Sequence, residues 1–156
     1  MATGKVMIPF GNFSLLDPSF DQIPDTGWPN GLVAVQPPGL LNVVTATRDA
    51  EVTITLEALP GDPGHPDPKW EAVAEVSITT NGTLEIFTGD VLEPINLTDL
   101  PAGPVRVRVH ARDRVLPTYT AKGAIRPGEE FLIQVWSAPE GPEAVLRQDS
   151  FGRNFQ

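Results

Sequence analysis

With 156 residues, a net charge of −9 and no cysteine, the chain is sized for one hydrophobic core and has no disulfide or thiolate metal site. Its 17 Pro and 14 Gly exclude a helix-dominated fold, because both residues break helices and build turns. Residues 1–104 hold 3 Lys/Arg against 14 Asp/Glu (−11), and residues 105–156 hold 8 against 6 (+2); direct nucleic-acid binding is disfavoured, since a phosphate backbone rewards a positive face.

In chain order, Val6, Ile8 and Phe10 alternate with Lys5, Met7 and Pro9, the period of a strand with one core face. After Gly11-Asn12, Phe13 and Leu15 resume one residue out of phase, which predicts a bulge that swaps the buried face. Residues 17–30 read as a surface loop. Segments 31–36 and 40–47 flank Pro37-Pro38-Gly39, a turn that cannot continue a ladder and so predicts a hairpin. Residues 51–58 alternate cleanly, with Val52, Ile54, Leu56 and Ala58 on one face and Glu51, Thr53, Thr55 and Glu57 on the other.

Residues 59–69 hold four prolines and two glycines, too many for a regular element. Strands are expected at 70–80 and 83–88, joined as a hairpin by Asn81-Gly82 because both residues tolerate the positive φ of a type I′ turn. Further strands follow at 94–100, at 105–112 with Val105, Val107 and Val109 opposite Arg106, Arg108 and His110, and at 130–136, where apolar residues on both faces predict a central position. A short edge strand at 144–146 is compatible with the tail.

These elements predict an all-β, antiparallel two-layer β-sandwich of about eight or nine strands, with a closed barrel as the alternative. Residues 1–156 are expected to form a single domain, with 139–156 a weakly structured C-terminal tail. No basic leader with an apolar run opens the chain, and no stretch approaches the roughly 18 apolar residues of a span, so a cytoplasmic location without membrane contact is expected.

The residues give little support to catalysis. There are two histidines, His65 in the proline-rich loop and His110 on the cationic face of its strand, and no Gly-X-Ser-X-Gly elbow, P-loop or His-Glu-X-X-His accompanies them. Asp62, Asp67, Asp49 and Asp99 match no metal motif and suit turns, so no metal site, catalytic residue or cofactor is assigned. The cations Arg106, Arg108, Arg112, Arg114, Lys122 and Arg126 are read as cross-strand partners of acidic strands. Of the three tryptophans, Trp136 is expected in the core, whereas Trp28 and Trp70 stand at loop-to-strand junctions and are expected to be half exposed. Asp62, Asp67, Trp70 and Glu71 therefore form the candidate partner-binding set, an aromatic anchor ringed by acids.

The order of segments resembles the competence protein J family. The likeness rests on Val6 to Leu16, Gly31-Leu-Val-Ala, Glu51 to Leu56, Val76 to Ile86 around Asn81-Gly82, Leu100-Pro-Ala-Gly leading into Val105 to Val109, and Glu130 to Trp136. The chain departs from that pattern in the loop at 59–69, the basic stretch at 106–126 and the tail after Pro139. The late segment also looks like that of uncharacterised bacterial proteins. The resemblance implies a small acidic bacterial protein that inhibits a DNA-uptake nuclease. The expected function is thus an acidic protein-binding module, an inhibitor or immunity-type protein for a basic nuclease or toxin. The alternatives are a small hydrolase or lyase with a carboxylate site, and a ligand- or calcium-binding sandwich.

Overall fold

The computed structural model describes residues 1–24, 30–89, 91–115, 118–121, 123–125 and 128–154. Its strands are β1 (Ala2–Ile8), β2 (Asn12–Leu16), β3 (Val33–Gln36), β4 (Leu40–Val44), β5 (Ala50–Ala58), β6 (Ala72–Thr80), β7 (Leu84–Thr88), β8 (Val91–Leu97), β9 (Gly103–Arg112), β10 (Thr118–Thr120), β11 (Gly123–Ile125), β12 (Glu130–Ser137) and β13 (Ala144–Arg147). One helical turn, α1 (Ser150–Arg153), follows. A six-stranded sheet in the order β1-β5-β12-β9-β6-β13 faces a five-stranded sheet in the order β3-β4-β2-β7-β8, and β10 and β11 form a separate ribbon. The expected all-β sandwich is present, but with eleven strands in its two sheets where eight or nine were expected. The excess lies where one bulged strand was expected over residues 6–15 and two strands, β1 and β2, form in different sheets, and in the tail, where β13 is added. Pairing is antiparallel except between β5 and β12, which run parallel.

Alternation is what builds the core. Val52, Ile54 and Leu56 of β5, Val105, Val107 and Val109 of β9, and Phe131, Ile133 and Val135 of β12 all point inward and are buried. Opposite them lie Phe13 and Leu15 of β2 and Leu84 and Ile86 of β7. Each such side chain removed from water contributes about 1.5–3 kcal/mol. Phe13 and Phe131 meet across the layers edge to face, their ring centroids 5.2 Å apart, an arrangement worth about 0.5–1.5 kcal/mol beyond the area it buries.

Two turns differ from the sequence expectation for one reason. The break at Gly11-Asn12 is not a bulge: β1 lies in the six-stranded sheet and β2 in the five-stranded one, so the phase change lets Ile8 and Phe13 point into the same core from opposite layers. Likewise, Asn81-Gly82 does not close a hairpin, because β6 and β7 belong to different sheets. Only Gly82 has a positive φ there, 128°, whereas a type I′ turn requires it at both central residues. The expected hairpin of β3 and β4 is present.

The Asn81 turn is held by Asp17, which is buried at the end of β2. Its carboxylate accepts from the Thr80 hydroxyl at 2.8 Å, the Asn81 N–H at 2.6 Å and the Ser19 N–H at 2.8 Å. Burial alone would raise this carboxyl, but the hydrogen bonds from Ser19, Asn81 and Thr80 outweigh it and hold it below the ordinary value. A lowered folded value contributes stability that is complete above the unfolded value of 3.8 and is lost as pH falls through the folded one. Asp17→Ala should therefore cost about 2–4 kcal/mol of unfolding free energy in urea at neutral pH. Its deficit relative to wild type should shrink below that carboxylate value.

Candidate functional site

The outer face of the six-stranded sheet is where the candidate residues collect. Register pairs Glu75 of β6 with Arg108 of β9, and Ser77 with Arg106. The Glu75 carboxylate accepts from Arg106 Nε at 3.2 Å and from Arg108 Nε at 2.7 Å. Arg106 also donates to the Ser77 hydroxyl on β6 at 3.0 Å, and beyond the sheet it reaches the carbonyls of Gly141 and Pro142 at 3.2 and 2.7 Å while Arg108 reaches that of Gly64 at 2.6 Å. The cationic strand face is thus covered by the proline-rich loop on one side and the C-terminal segment on the other, and Arg108 and His110 are buried. The expected cross-strand pairing with an acidic strand holds for Arg106 and Arg108. Lys122 and Arg126 lie outside the described residues, as does Trp28.

Within the loop, Asp62 is well exposed and its carboxylate lies 3.5 Å from Arg108 Nη2. It also accepts from the Gly64 N–H at 2.8 Å, as Asp67 does from the Lys69 N–H at 2.9 Å, the local side-chain-to-backbone turns that aspartate favours. Glu71 accepts from the Asp113 N–H at 2.7 Å. All three carboxylates are on exposed residues. Trp70 is not half exposed as the sequence suggested: 6% of it is accessible, because it folds under the loop against His110, ring centroids 5.5 Å apart, with Lys69 Nζ 4.9 Å from its own ring. Arg147 of β13 clasps the same loop by donating to the carbonyls of Pro66, Asp67 and Trp70 at 2.6–2.9 Å. Trp136 is buried, but on this outer face under Arg108 and not in the inter-sheet core. His65 is exposed in the loop.

The C-terminal segment, expected to be weakly structured, carries β13 and α1 and is fastened to the rest of the fold. Asp149 caps α1 through the Gly152 N–H at 2.7 Å and pairs with buried Arg114 at 2.6 Å. Arg114 also donates to the carbonyls of Gly31 and Val44 at 2.8 and 3.1 Å. Nearby, buried Glu129 accepts from the Thr47 hydroxyl and the Ala46 N–H; burial pushes its carboxyl above the ordinary value, against the pull of those hydrogen bonds and of Arg114. Sequence reading passed over Glu75 and Glu129. Register would have exposed Glu75, since it stands opposite Arg108 once β6 and β9 are aligned. Glu129 follows Gly128 in a stretch without periodicity, and nothing in the sequence marks it as buried. Among the described residues, no three His, Asp or Glu side chains gather to hold a metal ion, and no helix is long and apolar enough to cross a membrane.

The arrangement of strands can now be set beside known proteins. No family model matches the chain, and no curated protein sequence does. Its fold resembles that of ComJ. That protein, from Bacillus subtilis, is an inhibitor of the DNA-degrading activity of NucA; the two structures align with a TM-score of 0.62 over 88% of this chain and 96% of ComJ, at 14% identity. A second solved structure, crocagin biosynthetic gene J, aligns with a TM-score of 0.54 over 86% of this chain and 95% of its own, at 15% identity. At these identities ComJ and its companion establish a common fold, so the resemblance read from segment order extends to the three-dimensional arrangement.

His110 gives this face a pH signature. Its Nδ1 lies 2.9 Å from the Leu132 carbonyl. Burial, reinforced by the charges of Arg108 and Arg147 and opposed by the Leu132 carbonyl and Glu75, lowers its pKa from 6.5 to about 4. The imidazole is neutral in the fold while the unfolded chain takes up a proton at 6.5, so stability is complete above 6.5 and drains away as pH falls towards 4. The drop corresponds to about 3 kcal/mol. Chemical denaturation at pH 7 and pH 4.5 should show a loss in wild type that exceeds the loss in His110→Asn by most of that amount. Equal losses would mean that His110 ionises freely in the fold.

Proposed function

We propose that this chain is an acidic protein-binding module that inhibits a nuclease or toxin by occupying a basic cleft. The observation that carries the reading is the likeness to ComJ, a nuclease inhibitor, across nearly the full length of both chains. The charge distribution supports it. Fourteen acids against three cations in residues 1–104 give a surface on which carboxylates can stand where a nuclease expects phosphates, and such fields accelerate encounter with a basic partner.

Asp62, Asp67 and Glu71 are the part of that surface we assign to the partner. Their loop is held by Trp70 beneath it, by Arg108 on Gly64 and by Arg147 on three carbonyls, so little ordering entropy remains to be lost on binding. Trp70 serves as the floor of this loop and the acids make the contact.

The experiment is capture of the partner from the native host on the immobilised full chain, followed by a DNA-degradation assay of the captured protein with and without added inhibitor. Replacing Asp62, Asp67 and Glu71 together by Lys should slow association at least 10-fold and flatten its salt dependence. The cost to folding should stay near 1 kcal/mol for each backbone hydrogen bond given up. An unchanged on-rate at both low and physiological salt would remove the loop from the interface.

A further inference from the structure

At one end of the sandwich the last residues of β5 and β12 and the first of β9 meet the turn 98–101, which carries the chain from β8 in one sheet to β9 in the other. A cavity of about 230 Å³ lies there. Its floor is Val105 and Val135, both buried; half-buried Leu59 and Leu100 wall it, and exposed Ala58 borders it. These walls are set before anything binds. The Leu59 N–H donates to the Val135 carbonyl at 2.8 Å and the Leu100 N–H to the Gly82 carbonyl at 3.0 Å, while Pro60 and Pro101 beside them have a fixed φ. The lining segments and their chain neighbours, residues 56–62, 96–107 and 133–139, are all described. The stretches outside the description join the fold elsewhere: beyond the far ends of β8, β9 and β12, after α1, and at Ile23 and Asn30 beside β3, the strand farthest from β8 in its sheet.

Thr98, Asp99 and Ser137 form an exposed rim, and among the described residues none of their side chains makes a hydrogen bond or ion pair. Pockets for small-molecule ligands begin near about 300 Å³, so this space is sized for one apolar side chain. The unpaired Asp99 carboxylate at its rim favours a cation next to that side chain. Position supports the same occupant: Leu59 and Pro60 open the loop that presents Asp62 and Asp67, and the two residues from Pro60 to Asp62 span at most about 7 Å.

We infer that this cavity receives a single apolar side chain from a Lys- or Arg-bearing segment of a protein partner, with Asp99 set against the neighbouring cation. Binding hot spots take this form, an apolar group filling a desolvated pocket within a polar rim. Trp70, the anchor expected from the sequence, is buried; the anchor comes instead from the partner, and its socket lies beside the acidic loop. A second copy of this chain is disfavoured as the occupant, since each copy carries a net charge of −9. The inference deepens the inhibitor reading and rests on it for the nature of the partner, but on the cavity and its rim alone for the place of binding.

The test uses the isotope-labelled full chain and a capped Lys-Leu-Lys peptide. Titration should shift the amide resonances of Leu59, Leu100, Val105 and Val135 to saturation. Capped Lys-Ala-Lys, with most of the apolar surface removed, should bind about 10-fold more weakly, and Glu-Leu-Glu should bind more weakly than Lys-Leu-Lys. Ala58→Leu, in the inward phase of Ile54 and Leu56, fills the space and should abolish the shifts. Asp99 has a φ of 58°, which asparagine also tolerates; Asp99→Asn should weaken Lys-Leu-Lys about two- to five-fold, the range of an exposed ion pair. The spectrum of each variant confirms its fold. Absence of saturable shifts at these amides, binding that Ala58→Leu retains, or equal affinity for Lys-Leu-Lys and Glu-Leu-Glu overturns the inference. Self-association of the free chain that Ala58→Leu abolishes would give the cavity to a second copy and overturn it as well. With the captured partner the two readings separate. A partner without nuclease or toxin activity defeats the inhibitor reading while the peptide titration still decides the cavity, whereas a nuclease inhibited equally by wild type and Ala58→Leu removes the cavity and leaves inhibition intact.

Discussion

The carboxylate of Glu75, lodged between Arg106 and Arg108, decides what the outer face of the six-stranded sheet can be. A strand that carries three cations and a histidine on one side would ordinarily keep that side wet. Here the pair of guanidiniums is neutralised in part by Glu75, and donors of both also reach beyond the sheet towards chain that has carbonyls to offer. The proline-rich loop and the C-terminal segment are both rich in such carbonyls, because proline has no N–H with which to consume its neighbours' acceptors. They settle on either side of Glu75, and His110 and Trp70 are buried beneath the loop as a result. Taking away one member of such a buried set leaves an uncompensated charge, a far larger loss than the modest net gain of making the pair.

This cover gives the acidic surface its shape. Asp62 and Asp67 stand on the loop that Arg108 and Arg147 fasten, and Glu140 and Glu143 flank the carbonyls that Arg106 fastens. Arg106, Arg108 and Arg147 are therefore used internally, as scaffolding for acids displayed on the surface. The net charge of −9 understates the polarity seen by a partner, since several positive side chains that offset it on paper are buried under carbonyls and carboxylates.

How much of this could be read from the residues varied with the range of the interaction. The buried face of β5 was evident because Val52, Ile54 and Leu56 alternate with Thr and Glu, and the central place of β12 was evident because both of its faces are apolar. The acidic loop was legible as a loop and as acidic. Its aromatic residue was not, because whether Trp70 faces water depends on His110, forty residues away, and on Arg147 from the far end of the chain.

The sequence by itself determined the fold class, the residues that share a strand face and the acidic character of the first two thirds, since each depends on local alternation, turn chemistry or simple counting. Only the tertiary structure decided which layer a strand joins. Period 2 reports that Ile8 and Phe13 are both buried, but the same pattern arises whether the chain bulges within one sheet or crosses to the facing one, and Asn81-Gly82 serves a crossing as readily as a hairpin. It also decided that β3 would come last in the order of its sheet and that β12 would lie parallel to β5. Those outcomes depend on pairings between segments far apart in the chain, where the free energy of packing a common core, and no local preference, selects the partner.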